Sequence, residues 1–455
     1  MGHRPYLTAP QPLSTMPPGI PYIVGNEAAE RFSFYGMKAI LTIYMIKYLR
    51  DWDGAPAYLG ENQAAAVYHT FSAAVYAFPL LGAVLSDWLW GKYPTILWLS
   101  IVYCLGHAAL ALIPASLGLF IGLALIAIGS GGIKPCVSAH VGDQFGSQNQ
   151  HLVTAVFGWF YFSINFGSFF AYQFNPVILD RGGPHWGPHL AFGLPGVLMC
   201  IATFVFWLGR HRFVHIPPGG TAFLRESFGA EGRSAILRLL PLYAFVSVFW
   251  ALYDQTGSTW VVQAEKMDRH WLGIEWLSSQ VGAVNPILVM VFIPMFNYVV
   301  FPITDRIWKL SPLGKVAIGF FLTAGSFAVV AVTQSWIDRG LTPSIVWQLL
   351  AYAILTAGEV LVYGTCLEFS YTQAPNRMKS IIMAIFLSTV AIGNSLTALI
   401  NYYLVDESGR PLFEGAKYFW LFTAMMAVAS LGFLVVAATY RGKTYIQHEE
   451  SLPGA

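Results

Sequence analysis

The chain has 455 residues, 56% of them hydrophobic and only 11% charged, with a formal net charge of +2. A soluble shell on a chain this long needs about twice that charge, since soluble proteins carry roughly 25% charged residues. The mean hydropathy of +0.56 and the apolar runs of about 20 residues exclude a soluble enzyme, a disordered chain and a nucleic-acid binder, and indicate an all-α, polytopic membrane protein.

In chain order, residues 1–21 carry six prolines (Pro5, Pro10, Pro12, Pro17, Pro18, Pro21) and no apolar core of the signal-peptide kind. The first span is therefore expected to direct insertion itself. Twelve spans are predicted at 22–49, 63–88, 93–115, 118–141, 152–178, 189–209, 235–263, 279–301, 314–334, 344–372, 378–404 and 415–440. The longest connection contains Pro217-Pro218-Gly219-Gly220. It divides the chain into an N-terminal six-helix unit (1–209), a cytoplasmic linker (210–233) and a C-terminal six-helix unit with a short tail (234–455). With both termini cytoplasmic, 13 Lys and Arg residues flank spans on the cytoplasmic side and 7 on the other, the bias that the positive-inside rule requires. A short repeat supports duplication. Asp87-Trp-Leu-Trp90 closes the second span and Asp305-Arg-Ile-Trp308 the eighth, each followed within two residues by a lysine.

Ionisable groups inside spans carry the functional information, because each costs ~2.5–3.5 kcal/mol to insert and needs a partner or a wet cavity. Glu27, Glu30, Arg31 and Lys38 fall within about a 100° arc of the first span. Four charges in a stripe cannot face lipid. Pairs such as Glu27–Arg31 could instead serve only the helix itself. Lys134, Asp254 and Glu359 are deep in other spans, while Arg238 and Glu368 lie near span ends. The deep charges balance, as expected of salt bridges that exchange partners. In the second span, Tyr68, His69 and Tyr76 occur together, and His69 reads either as a titrating group or as a neutral hydrogen-bonded core histidine. Tyr161 with Asn165, and Asn285, read either as site residues or as interhelical hydrogen-bonding groups. Trp250 reads as site, packing or interfacial residue. Cys104, Cys136, Cys200 and Cys366 read as small buried hydrophobes. Pro184 and Pro188 should break any helix around His185 and His189, making these loop residues and not a metal site. No metal and no cofactor is expected.

Against this background the motifs themselves are distinctive. Glu27-Ala-Ala-Glu30-Arg31-Phe-Ser-Phe34-Tyr35-Gly36 resembles the ExxERFxYYG motif of the proton-coupled oligopeptide transporters, a family of the major facilitator superfamily. The stretches Gly131–Phe145, Phe249–Trp260 and Glu368–Ser380 resemble further signatures of that family, the last two of its animal branch, and Gly82–Lys92 is similar to the wider superfamily's loop motif. The resemblance runs from about residue 22 to 440. It implies a major facilitator fold of two six-helix bundles around a central site, alternating access, and inward symport of di- and tripeptides with protons.

Carried over by position, the resemblance implies a proton-coupling set of Glu27, Glu30, Arg31 and Lys134, with Lys134 pairing with Glu359 in some states. It implies that Asn165, Asn285 and Glu359 hold the peptide's α-ammonium. Lys38, with Tyr35 and Lys134 nearby, would attract its carboxylate, and Tyr68, Tyr76, Tyr161 and Trp250 would line side-chain pockets. His69 and Asp254 are expected to act as a proton-sensitive extracellular gate. Two positions depart from the family pattern: Lys38 stands where arginine is usual, and Phe34 replaces a tyrosine. Lysine cannot grip a carboxylate bidentately. The absence of a large segment between the ninth and tenth spans points to a bacterial inner membrane; a monomer is expected. Rival readings are a carrier of the same fold for nitrate or another small metabolite, and a peptide sensor that does not transport. The 15 residues after Tyr440 disfavour a sensor with a signalling tail, and no zinc-ligand, nucleophile-elbow or phosphate-loop motif suggests an enzyme.

Overall fold

The structure is a computed structural model that describes residues 6–113, 115–220, 230–307, 309–373, 379–404 and 411–440. Its long helices are α1 (Ile20–Ile43), α2 (Glu61–Leu89), α3 (Lys92–Leu112), α4 (Ala115–Gly142), α5 (Val153–Arg181) and α6 (Gly183–Leu208). After the linker follow α7 (Arg233–Glu265), α8 (Ser278–Ile307), α9 (Pro312–Ile337), α10 (Val346–Ser370), α11 (Lys379–Tyr403) and α12 (Ala416–Thr439). Among the described residues, eleven helices are long and apolar enough to cross a membrane. The twelfth, α1, has 24 residues, enough to span at 1.5 Å per residue, and carries the four charges of the ExxER stripe and Lys38.

The outer surface is apolar. Trp98 on α3, Phe120 on α4, Phe204 on α6 and Val428 on α12 are all exposed, a pattern that only a hydrocarbon surround satisfies. Buried apolar side chains gather in two clusters. One runs from Ile20 to Phe213 and takes in Val261; the other runs from Ala235 to Phe433. A two-stranded hairpin, His270–Trp271 against Ile274–Glu275, joins α7 to α8. Before α1, Leu7 pairs with Val214, so the N-terminal arm lies against the segment that follows α6.

Three features differ from a plain reading of the spans. Helix α6 starts at Gly183, so His185 and His189 are helical. Pro184 falls in the first turn, where its missing N–H has no intrahelical partner to lose, and Pro188 forfeits a single bond near the helix start. His189 Nδ1 bonds Ala111 O at 2.5 Å, tying α6 to the end of α3. Cys200 is exposed on the outside of α6, and Cys104 is half-buried; Cys136 and Cys366 are buried. Helix α7 is not continuous. It tightens over Asp254–Gly257, turns sharply at Ser258 (φ −126°, ψ −94°) and resumes over Thr259–Glu265. Widened five-residue turns close α2 at Leu85–Leu89 and interrupt α8 at Phe296–Val300 and α10 at Val360–Gly364. The last directly follows Glu359.

Candidate functional site

The charges of α1 pair among themselves first. Arg31 Nε lies 2.6 Å from Glu27 Oε1 and 3.0 Å from Glu30 Oε2, the geometry that i,i+4 and neighbouring positions allow. Both glutamates are buried, so the guanidinium neutralises carboxylates that have lost water. Ser130 on α4 donates to Glu30 Oε1 at 3.3 Å. Lys134, one turn further along α4, stands over the Phe34 ring at 4.3 Å and the Tyr76 ring at 5.3 Å. No ion pair joins Lys134 to a carboxylate among the described residues, Glu359 included. Phe34 therefore offers a ring face to an ammonium.

The second group lies on the seam between the clusters. Lys38 Nζ meets Asp254 Oδ1 at 2.9 Å, and both side chains are buried. Asn394 Nδ2 on α11 donates to Asp254 Oδ2 at 2.6 Å, while its Oδ1 is 2.7 Å from His69 Nδ1. His69 Nε2 is 2.9 Å from Ser258 Oγ. Thr42 donates to Gly257 O at 2.7 Å. The break in α7 brings Asp254 and Ser258 to this network. Gly257 sits directly against the Tyr68 hydroxyl, where a Cβ has no room. Tyr68 also lies 5.0 Å from Lys38 Nζ. Thus Lys38 is engaged by Asp254, and His69 and Asp254 are linked through Asn394 rather than directly.

Further pairs continue the seam toward the α1–α2 and α7–α8 loops. Lys47 pairs with Glu265, Lys266 with Glu61 at 2.9 Å, and Gln280 donates to Gln173 O at 3.1 Å. Among the described residues, the side-chain hydrogen bonds and ion pairs between the two halves all fall in this half of the molecule. The seam is closed at that end.

The third group belongs to the C-terminal half. Asn285 Nδ2 donates to Glu359 Oε2 at 2.8 Å and to Thr356 Oγ1 at 3.1 Å, and its Oδ1 accepts from Tyr253 at 3.2 Å. Trp250 stands edge-on to Tyr253 and to Tyr363, with ring centroids 5.2 and 5.7 Å apart. Asn165 is buried and spends its amide on Tyr161 O at 3.0 Å, so it does not join the Asn285–Glu359 pair; Tyr161 itself is exposed. The Tyr35 ring stands 5.4 Å from the Phe34 ring and 6.3 Å from the Tyr172 ring. Arg238 bonds Ser234 at 2.7 Å, and Glu368 is exposed, so neither joins the site.

Sequence reasoning missed Asn394 and Ser258. Asn394 was detectable by the same criterion that singles out Asn165 and Asn285, an amide at the middle of an apolar span. Ser258 was not, because its position depends on the break in α7.

The sequence profile PTR2, described as the POT family, matches residues 93–230 and 227–421. The chain belongs to the POT family. Among curated proteins it is similar to Peptide transporter 3 of Caenorhabditis elegans, 36% identical over 71% of this chain and 52% of the relative. It is also similar to Solute carrier family 15 member 2 of Mus musculus, 37% identical over 77% of this chain and 54% of the relative. The chain thus spans about half the length of the curated relatives it matches. Among solved structures, an auto-inhibited POT family peptide transporter superposes with a TM-score of 0.84 at 35% identity, covering 95% of this chain and 99% of that one. The POT family transporter PepTSo superposes with a TM-score of 0.85 at 36% identity, covering 94% and 99%. The fold is accordingly the twelve-helix major facilitator fold of these transporters.

Proposed function

We propose that this POT family member carries di- and tripeptides into the cell with protons by alternating access. The observation that carries the reading is the placement of opposite charges on the two halves. Lys38 and Lys134 stand on the N-terminal half and the Glu359–Asn285 pair on the other. A zwitterionic peptide needs a base for its carboxylate and an acid for its ammonium, at a spacing that limits its length. Glu359 with Asn285 takes the ammonium. Lys134, which has no ion pair among the described residues, takes the carboxylate, joined by Lys38 when Asp254 is released. Asn165, Tyr68, Tyr76, Tyr161 and Trp250 line the path of the side chains.

Glu27, Glu30 and Arg31 form the proton-coupling cluster. Protonation of a glutamate frees charge on Arg31, and the pairings across the cavity change with it. His69, Asn394, Asp254 and Lys38 form the outer gate. With the termini cytoplasmic, as the basic-residue bias indicates, the closed end faces outward and this conformation opens inward. The two halves, 1–209 and 234–455, move as rocking units joined by 210–233, in a plasma membrane and as a monomer.

The test is uptake by purified protein in liposomes under an inward proton gradient with negative-inside potential, using labelled dialanine. Concentrative uptake that a tripeptide blocks and free alanine does not, and that Glu359→Ala abolishes, is the expected result. Binding of dialanine without uptake would replace the reading by that of a sensor. Folded protein with neither would leave the fold with a different substrate.

A further inference from the structure

A row of aromatic contacts runs from Lys134 across the seam toward Glu359, and its far end has no role yet. The Lys134 ammonium stands over the Phe34 ring at 4.3 Å. The Phe34 ring meets the Tyr35 ring edge-on, with centroids 5.4 Å apart. Tyr35 lies 6.3 Å from the Tyr172 ring on α5, with 36° between planes. Tyr172 then crosses to the C-terminal half and rests against Gly282, near the start of α8. About one turn further along α8, Asn285 donates to Glu359 Oε2 at 2.8 Å.

The contact at Gly282 exists because that residue has no side chain. A Cβ there would lie 2.7 Å from Tyr172 Cε1, 3.0 Å from Cδ1 and 3.3 Å from Cζ. Gly282 is not among the glycines of positive φ, so its backbone would accept another residue and only the ring requires the glycine. The neighbouring bonds fix the depth of this contact. Gln280 donates to Gln173 O at 3.1 Å within the closed end of the seam. Tyr172 on Gly282 is the next step inward, between that seal and the Asn285–Glu359 pair. Tyr172 is half-buried, so the seam leaves part of it uncovered.

We propose that Tyr172, seated on Gly282, is a specificity-determining residue whose ring walls the space for the side chain of the peptide's first residue. The proposal rests on the reading of Glu359 and Lys134 as the groups that hold the peptide's two ends. A peptide so held lies along the aromatic row. Its carboxylate end lies by Phe34, and its ammonium end lies by Tyr172. The ring therefore limits bulk on the residue that bears the ammonium and leaves the residue that bears the carboxylate free. The wall is the ring and not the hydroxyl, because ring carbons make the contacts with Tyr35 and Gly282.

The test compares two competitors of one composition and opposite order, tryptophyl-alanine and alanyl-tryptophan, on the full chain. Each is titrated against uptake of labelled dialanine in liposomes and against dialanine bound to the purified protein, which requires no transport. The quantity read is the ratio of their half-inhibitory concentrations. It is internal to each variant, so a variant of low activity still reports. Tyr172→Ala should improve tryptophyl-alanine by about tenfold, the scale on which a pocket discriminates by bulk, and leave alanyl-tryptophan in place. Gly282→Ala drives the ring toward the peptide and should shift the ratio the opposite way. Tyr172→Phe keeps the ring and should keep the wild-type ratio. A wild-type ratio in Tyr172→Ala, or equal shifts of both competitors, would overturn the wall while dialanine uptake by the wild type leaves the symport reading standing. Wild-type protein that neither binds nor takes up dialanine would overturn the peptide reading, and the wall with it.

Discussion

His69 reaches Asp254 only through Asn394, which donates to the carboxylate at 2.6 Å and presents its Oδ1 to His69 Nδ1 at 2.7 Å. The amide orientation is set by its two acceptors, Asp254 Oδ2 and Val390 O, both served by Nδ2. The proton between His69 and Asn394 therefore sits on His69 Nδ1, and Nε2 faces Ser258. Any signal from the histidine to the aspartate passes through the amide.

Asn394→Leu should uncouple the two groups. It leaves the Asp254 carboxylate with one partner fewer and His69 Nδ1 with none, each worth ~1–3 kcal/mol in a buried setting. Proton-driven uptake should fall by about tenfold or more, and a cysteine placed at Thr42 should become reactive to an impermeant thiol reagent from outside. Retained wild-type uptake together with an unreactive cysteine would show that the amide is not part of the gate.

The pairing of Lys38 with Asp254 supports a graded prediction. Lys38→Ala leaves a buried aspartate uncompensated, a loss of ~3–5 kcal/mol when one partner of a buried pair is removed. The outer seam should then open, and uptake should fall by at least tenfold. Lys38→Arg restores the charge and adds a second donor, which should hold the seam closed longer. Its turnover should be slower than wild type, with exchange of bound peptide on the inner side retained. Turnover equal to wild type in the arginine variant would mean that opening of this pair does not limit the cycle.

Much of this arrangement was legible in the chain. Twelve apolar runs announced twelve helices because lipid admits no other way to satisfy a single-segment backbone. The charges of α1 announced an interior face because four of them cannot sit against hydrocarbon. What could not be read was local backbone shape. Pro184 and Pro188 look like helix breakers until one sees that they occupy the start of α6, where little hydrogen bonding is lost. The 254–258 break gives no periodicity signal, since the apolar residues on either side continue at helical spacing. Partner choice was equally hidden: Lys38 could have faced solvent, Asp254 or a ligand, and only the seam geometry selects Asp254.

Gly257 offers a test of how tight that seam is. Its missing side chain lets the break in α7 press on the Tyr68 hydroxyl while Thr42 bonds its carbonyl. Gly257→Ala should push α7 away from α2, lower uptake severalfold and raise the reactivity of a cysteine at position 42. Adding Tyr68→Phe removes the nearest atom and should recover part of the loss. Because the ring carbon behind the hydroxyl remains close, recovery should be partial. Additive effects of the two substitutions would place the clash elsewhere.

A pH effect is expected at the opposite end of the N-terminal half. The Tyr6 ring stacks on the His215 ring at 4.2 Å, and the His215 backbone N–H donates to Leu7 O at 2.7 Å, so the arm before α1 is docked on this histidine. Burial, with His211 nearby, holds the His215 imidazole below its ordinary value of 6.5; its bond to Arg210 O opposes the shift. The docked state thus binds fewer protons than the undocked one, and docking strengthens as pH rises. The contribution is complete above pH 6.5 and is lost as pH falls below it toward the docked-state value. Hydrogen exchange of residues 6–15 should accelerate between pH 7.5 and 5.5 after correction for intrinsic rates. His215→Phe keeps a ring under Tyr6 and should abolish that dependence while preserving protection. If the variant shows the same acceleration, the titrating group is not His215, and His215 serves the arm by packing alone.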